Sequence, residues 1–286
     1  MPDPSLSSLV RAAAERLAAA GVADPAVDAE LLAAHVLGVG RGEAQAAMVR
    51  GDTVAADVAA AFDALVSRRA AREPLQHLTG VAPFRHLTLA VGPGVFVPRP
   101  ETETVAQFAI VALLAAPEPE PIGVDLGTGS GAIALAMATE VPHARVFAAE
   151  ISPDAFAWAM RNAAGVDNVT VVNDDLATAF AELEGRATVV ISNPPYVPDA
   201  AVPRDPEVRL FDPASALYGG EDGLDVVRVL STRAKQLLRT GGLLVIEHGE
   251  LQGEQIRDLL SSDGWRAAAT HRDLTHRDRA TTALRP

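Results

Sequence analysis

The chain has 286 residues, no cysteine, a hydrophobic fraction of 49% and a formal net charge of −13. That length buries a full core and suits one large domain with a smaller one. The lack of cysteine excludes disulfides, thiolate catalysis and cysteine-ligated zinc, and the acidic balance disfavours sequence-independent nucleic-acid binding. Met1 to Arg11 carries no basic segment ahead of a long apolar core, and no apolar run is long enough to span a bilayer. The expectation is a soluble, cytoplasmic protein with no membrane partner.

Residues 5 to about 73 are alanine-rich and read as a small helical bundle. Leu6, Leu9, Val10, Ala13, Leu17 and Ala20 recur at helical spacing, and Gly21 is a stop. Asp24-Pro25 reads as an N-cap and first-turn proline for a helix through Leu37. Further helical stretches run near 42–49 and 54–72. Arg68, Arg69 and Arg72 form a short basic cluster, read first as a solvated helix face. Residues 74 to 100 change character: Phe84, Leu87, Leu89, Val91, Val95, Phe96 and Val97, interrupted by glycine and proline, predict short strands and turns, a β-hairpin-like linker. Helix resumes to about Ala115, and Pro117-Glu118-Pro119-Glu120-Pro121 is an exposed connector.

From residue 122 strands and helices alternate. Ile122–Leu126, Ala144–Ala149, Val169–Val172, Ala187–Ser192 and Leu243–Glu247 read as strands. Ala132–Glu140, Ser152 to about Ala164, Gly223–Arg239 and Gln252–Ser262 read as helices, and the tail as a hairpin over Trp265–Arg272 and Arg279–Leu284. This alternation predicts an α/β fold with a mostly parallel, doubly wound sheet. The expected division is therefore residues 1–73, a linker over 74–100, and a catalytic domain over 101–286.

Two motifs carry the chemistry. Asp125-Leu126-Gly127-Thr128-Gly129-Ser130-Gly131 is a glycine-rich turn between a strand and a helix. Its glycines permit close ligand approach, and the helix N-terminus offers free N–H groups to an anion such as a methionine carboxylate. Glu150 ends the next strand, where it can accept from both hydroxyls of a ribose. Asp175-Leu176 follows the third strand, with a carboxylate for an adenine amino group and a leucine for its ring; Asp174 is an alternative to Asp175. Gly127, Gly129 and Ala132 also satisfy a relaxed dinucleotide fingerprint, in which Glu150 would serve an NAD ribose.

The second motif, Asn193-Pro194-Pro195-Tyr196, follows the buried strand Thr188–Ser192. The prolines fix their own φ and push the residue before them into extended backbone. The Asn193 side chain and the Pro194 carbonyl then become rigid acceptors for an –NH2 on an sp2 carbon, with Tyr196 to stack on the planar group. Two such acceptors orient a carboxamide nitrogen and stabilise positive charge growing on it. The two motifs together resemble an S-adenosylmethionine-dependent methyltransferase acting on a planar nitrogen.

Over nearly its whole length the sequence is similar to the release-factor glutamine methyltransferases of the PrmC/HemK type. The resemblance also rests on Val97-Pro98-Arg99-Pro100-Glu101-Thr102-Glu103, Leu217 to Asp225, Gly241-Gly242, Glu247-His248-Gly249 and Arg272 through Arg279. It implies a Rossmann-like class I methyltransferase sheet behind a small helical domain that grips the substrate. It implies S-adenosylmethionine as cofactor and peptide chain release factors as partners, methylated at N5 of the glutamine in their Gly-Gly-Gln tip. Carried over, Gly127 to Gly131, Glu150 and Leu176 hold the cofactor and Asn193 borders both ligands. Asn193, Pro194, Pro195 and Tyr196 hold the glutamine. His77 and His248 depart from, or vary within, that pattern. Two other readings stand beside it: an adenine amino methyltransferase, which would share the Asn-Pro-Pro-Tyr motif but need a basic surface, and a non-catalytic cofactor-binding module. Glu101 and Glu103 read either as first-turn helix carboxylates or as site groups. His271, Asp273, His276 and Asp278 match no standard metal spacing and read as a charged hairpin face.

Overall fold

The computed structural model describes residues 3–286. In chain order the elements are α1 (Leu6–Ala19), α2 (Pro25–Leu37), α3 (Arg41–Arg50), α4 (Ala56–Ala70), α5 (Leu75–Thr79), β1 (Val81–Phe84), β2 (Leu87–Ala90), α6 (Pro100–Leu114), β3 (Ile122–Leu126), α7 (Ala132–Glu140), β4 (Arg145–Ala149), α8 (Pro153–Asn162), β5 (Val169–Val172), β6 (Ala187–Ser192), α9 (Pro206–Phe211), α10 (Asp225–Leu237), β7 (Leu238–Glu247), α11 (Gly253–Ser262), β8 (Arg266–Arg272) and β9 (Asp278–Leu284). The chain divides into two units. One ends at Val81 and regains Arg204–Phe211; the other comprises Ala82–Pro203 and Asp212–Pro286.

The first unit is a helical bundle. Leu6, Val10, Ala13 and Leu17, spaced three to four apart, bury one stripe of α1 against Leu32, Phe62 and Val66. Ser5 caps α1 by accepting from the Ser8 N–H at 3.2 Å. Of the basic cluster only Arg68 is on the solvated face expected from sequence; Arg69 and Arg72 are not. Arg69 is only 7% exposed; it pairs with Asp28 at 2.7 Å and with Glu207 of α9 at 2.7 Å. Arg72 also holds Glu207, at 2.5 Å, and Arg68 holds Glu73 at 2.6 Å. A cation this buried requires a carboxylate beside it, and Asp28 and Glu207 lie 41 and 138 residues away in the chain.

The second unit is built on a seven-stranded sheet of order β5-β4-β3-β6-β7-β9-β8. The first five strands pair in parallel, and β9 joins β7 antiparallel. Both β3 and β6 are buried along their length, as a sheet covered on both faces demands. Alternate residues feed the two layers. Val189 and Ile191 pack with Val105, Ile110 and Met137 of α6 and α7; Val190 packs with Val227, Leu230 and Ile256 of α10 and α11. The chain runs outward from β3 through β4 to β5, then crosses to β6 and β7. Strand order therefore reverses between β3 and β6, the position where open α/β sheets leave a crevice at their carboxyl ends.

Helix α9 has no counterpart in the sequence expectation, and two boundaries differ from it most. Leu75–Thr79 is a helical turn rather than part of a strand-and-turn segment: Pro74 opens it, Gly80 closes it in a left-handed conformation, and Leu78 is buried. β7 starts at Leu238, five residues early, because Leu238 leaves α10 in extended backbone and pairs with Ala187.

Candidate active site

The glycine-rich turn leaves β3 at the reversal point. Gly127 and Thr128 donate to the Ala149 carbonyl at 2.9 and 3.0 Å, which folds the turn back over the end of β4. Glu150 sits just beyond that end, 8% exposed. Its Oε2 accepts from the Gly129 N–H at 2.8 Å and its Oε1 from the Ser152 N–H at 2.9 Å. Each oxygen has further lone-pair capacity, so the carboxylate is fixed in place and still able to accept from a diol. Gly129 has φ +58°, and a Cβ there would meet nothing within 4 Å. The turn, its N–H groups at Gly127, Thr128 and Gly129 held by Ala149 and Glu150, thus leaves open space beside Gly129, which fits a bound nucleoside cofactor.

Asp125 lies two residues before Gly127, fully buried on the α7 side. Its Oδ2 accepts from Thr128 Oγ1 at 2.6 Å and from the Ala134 N–H at 3.1 Å. Burial raises its carboxyl to about 7, against the pull of these two hydrogen bonds. Asp125 therefore braces the turn and the start of α7. Thr128 and Ser130 are buried in the same turn. Gly131, at φ +86°, N-caps α7.

Asp174 and Asp175 follow β5 and are exposed. Asp174 donates its N–H to the Glu150 carbonyl at 3.2 Å, which draws this turn to the end of β4. Asp175 Oδ1 accepts from the Ala177 N–H at 2.9 Å, and Asp174 Oδ1 from the Asp175 N–H at 2.8 Å. Leu176 packs against the cluster that contains Leu126, Phe147 and Phe180.

The Asn-Pro-Pro-Tyr motif leaves β6, the strand beside β3. Ser192 Oγ donates to the Leu126 carbonyl at 2.5 Å, which joins the start of this motif to the start of the glycine turn. Support comes from distant chain. The Val197 N–H donates to the Leu217 carbonyl at 2.8 Å and the Gly219 N–H returns to the Val197 carbonyl at 2.9 Å. Gln252 Nε2 donates to the Tyr196 carbonyl at 2.9 Å. A Cβ on Gly219 would come within 2.4 Å of the Pro195 carbonyl oxygen, so the 217–225 loop lies directly on the motif's backbone. Pro194 is buried; Asn193, Pro195 and Tyr196 are half-buried.

Glu247 is a group that sequence reasoning placed only in a signature, not in the site. It ends β7 beside Asn193, since Ser192 and Ile246 pair in register. Burial raises its carboxyl to about 7, while Thr102, Arg279 and Asn193 pull it down and Glu101 pushes it up. Burial also pushes the Tyr196 phenol up, with Glu247 adding like charge and Arg279 opposing. The available signal was a lone carboxylate closing an otherwise apolar strand, Leu243–Ile246. The structure separates the two helix-start carboxylates. Glu101 belongs to this charged group, whereas Glu103 accepts from the Arg85 N–H at 2.8 Å and is structural. His248 is fully buried, bonded to Thr281 Oγ1 at 2.9 Å, with burial holding it below the usual imidazole range. His271 stacks on Phe108 at 4.4 Å and Asp273 caps its own hairpin turn through the Thr275 N–H at 2.8 Å.

Two family models match: one described as the PrmC N-terminal domain, over residues 8–80, and one described as the methyltransferase small domain, over residues 87–221. The release factor glutamine methyltransferase of Streptomyces coelicolor is 50% identical over 277 residues, covering 96% of this chain and 96% of that protein. The protein of the same name from Mycolicibacterium smegmatis is 46% identical over 283 residues, 98% of each. Among solved structures, the hMettl16 catalytic domain in complex with the MAT2A 3'UTR hairpin 6 superposes with a TM-score of 0.54 at 15% identity. It covers 69% of this chain and 76% of that one, a likeness of fold.

Proposed function

The chain belongs to the release factor glutamine methyltransferase family, and we propose that its activity is seated where β3 and β6 end side by side. It is an S-adenosylmethionine-dependent methyltransferase that methylates glutamine in release factors. The finer reading is that the acceptor is N5 of the glutamine in the Gly-Gly-Gln tip. What supports a transfer site here is the nearness of the two motifs: Ser192, the residue before Asn193, bonds the Leu126 carbonyl of the glycine-rich turn across the two strand ends.

In this reading Asp125, Gly127, Thr128, Gly129, Ser130 and Gly131 form the cofactor turn. Glu150 takes the ribose hydroxyls, Asp175 and Leu176 take the adenine, and Asn193 borders both ligands. The open space at Gly129 and the fixed carboxylate of Glu150 suit that cofactor. S-adenosylmethionine supplies an electrophilic methyl group when bound. The protein's part is to make a poor nucleophile reactive. A carboxamide lone pair is delocalised, and that resonance gives a rotation barrier of about 18–20 kcal/mol. Asn193 Oδ1 and the Pro194 carbonyl accept the two N–H bonds of the glutamine side chain, and Pro195 shapes the wall beside them. They fix the amide plane and favour positive charge on its nitrogen. Tyr196 stacks on the amide and excludes water. After transfer the nitrogen is acidic and gives up its proton to water as the products leave, with no strong base required.

The helical unit grips the body of the release factor, a protein partner reached without nucleic acid or membrane, in the cytoplasm where termination occurs. A chain beginning at Leu75 should retain cofactor affinity and lose release-factor affinity; unchanged affinity would reassign the grip. Mass spectrometry of a release factor incubated with this protein and S-adenosylmethionine tests the reaction itself. One added methyl on the Gly-Gly-Gln glutamine, absent with Asn193→Ala, is the expected result. A methyl elsewhere, or cofactor binding without transfer, would overturn it.

A further inference from the structure

We propose that Glu247 is a positioning residue for Asn193: its carboxylate takes the Asn193 side-chain N–H and thereby turns the Asn193 carbonyl oxygen toward the acceptor amide. This rests on the reading of Asn193 given above. An asparagine amide has two ends of nearly equal shape, and only its neighbours decide which end faces a ligand. An ionised carboxylate accepts and cannot donate. Placed behind Asn193, it selects the NH2 end and leaves Oδ1 for the substrate.

The structure supplies that placement. Glu247 is 1% exposed and closes the β7 strand alongside Asn193. Among the described residues its Oε2 is in bonding geometry with no donor, and Thr102 Oγ1 of α6, although close enough to pull the carboxyl down, makes no well-formed hydrogen bond either. A buried carboxyl with one oxygen left unpaired is costly, and the β7 positions before it are leucine, valine and isoleucine, so an apolar residue would continue the strand without that cost. The charged and titratable groups around it are Glu101 on α6, Tyr196 beyond β6 and Arg279 on β9, with Thr102 and Asn193 as its polar neighbours. Arg279 is itself held by Asp273 at 3.3 Å. Once protonated, Glu247 can donate to Asn193 Oδ1 and competes with the substrate for that oxygen. Burial has already raised this carboxyl to about 7, so the competition falls near neutral pH.

The test is steady-state methylation of a release factor by the full-length protein from about pH 6 to about pH 9, with cofactor affinity measured in parallel. The wild-type kcat should fall below about pH 7, roughly tenfold per unit at the acid end. Glu247→Gln should lower the plateau on the order of tenfold, flatten the acid limb, and leave the cofactor Kd and the release-factor KM within about twofold. An acid limb absent from the wild type, or one that survives in Glu247→Gln, overturns the proposal. The wild-type profile decides the matter even where the variant does not fold. Asn193→Ala separates the two readings: if it turns over normally, the role of Asn193 falls; if it is inactive while Glu247→Gln keeps the wild-type profile, only Glu247 does.

Discussion

The ends of β3 and β6 lie side by side, yet they are built in opposite ways. At β3 the glycine turn is held by its own neighbourhood: Thr128 bonds Asp125 three residues away, and Gly129 bonds Glu150 at the end of the next strand. At β6 the Asn-Pro-Pro-Tyr backbone is held from Leu217, Gly219 and Gln252, and its side chains face Glu247 and Arg279. On the roles proposed above, a turn that binds a common cofactor can be a local object, whereas a site that must orient a weak nucleophile needs stiffness from several directions, because a small misplacement is expensive in rate.

That contrast can be broken or sharpened by substitution. The largest effect is expected at β6. Asn193→Ala should lower kcat on the order of 10²–10³-fold with the cofactor Kd nearly unchanged, as for loss of one positioned polar group; single-turnover methylation and calorimetric binding check it. Next comes the support behind the motif. Gly219→Ala would drive a methyl into the Pro195 carbonyl, an overpacking of about 1–3 kcal/mol. It should cost roughly 10–100-fold in kcat/KM for the release factor and spare cofactor binding. If cofactor affinity falls equally, the two ends are not separable.

At β3 the expected effects are smaller and of another kind. Gly129→Ala forces an alanine into left-handed backbone at φ +58°, a strain of roughly 1–2 kcal/mol. Its cofactor Kd should rise on the order of tenfold while kcat at saturation holds; a kcat defect at saturation would contradict the division. The smallest effect concerns Asp125. Its folded carboxyl is raised above the unfolded value of 3.8 to about 7. Its contribution to stability is therefore full below about pH 4 and is lost as pH rises through about 7. Asp125→Asn should flatten that fall by at most about 1.4 kcal/mol per pH unit. Glu247, shifted the same way, should keep part of the slope. Urea midpoints across that pH range would show it; an unchanged slope would mean Asp125 is ionised without penalty.

Much was legible from sequence alone. Each strand from β3 to β6 stands within a residue of its apolar run, most plainly β3 and β6, since a strand buried on both faces is written in mostly apolar residues. The helical spacing of Leu6, Val10, Ala13 and Leu17 is the buried stripe of α1. The residues of both site motifs were legible because glycine and proline restrict or free their own backbone and need no distant partner to do so. What sequence misread followed the opposite rule. Arg69 looked like a surface cation because nothing near it in the chain announces Asp28 or Glu207. Leu238 looked like helix because the pairing that pulls it into β7 is with Ala187. Glu101 and Glu103, equivalent on paper, separated only when the fold gave one to the Glu247 group and the other to Arg85.

The sequence by itself determined the α/β alternation and the places of the two motifs in it, because these depend on residue type and local spacing. The tertiary structure alone decided that the two motifs meet across a reversal of strand order, and that Asn193 has a buried carboxyl behind it. Pairing between strands and burial of charge are set by which distant segments share one core, and no local pattern encodes that choice.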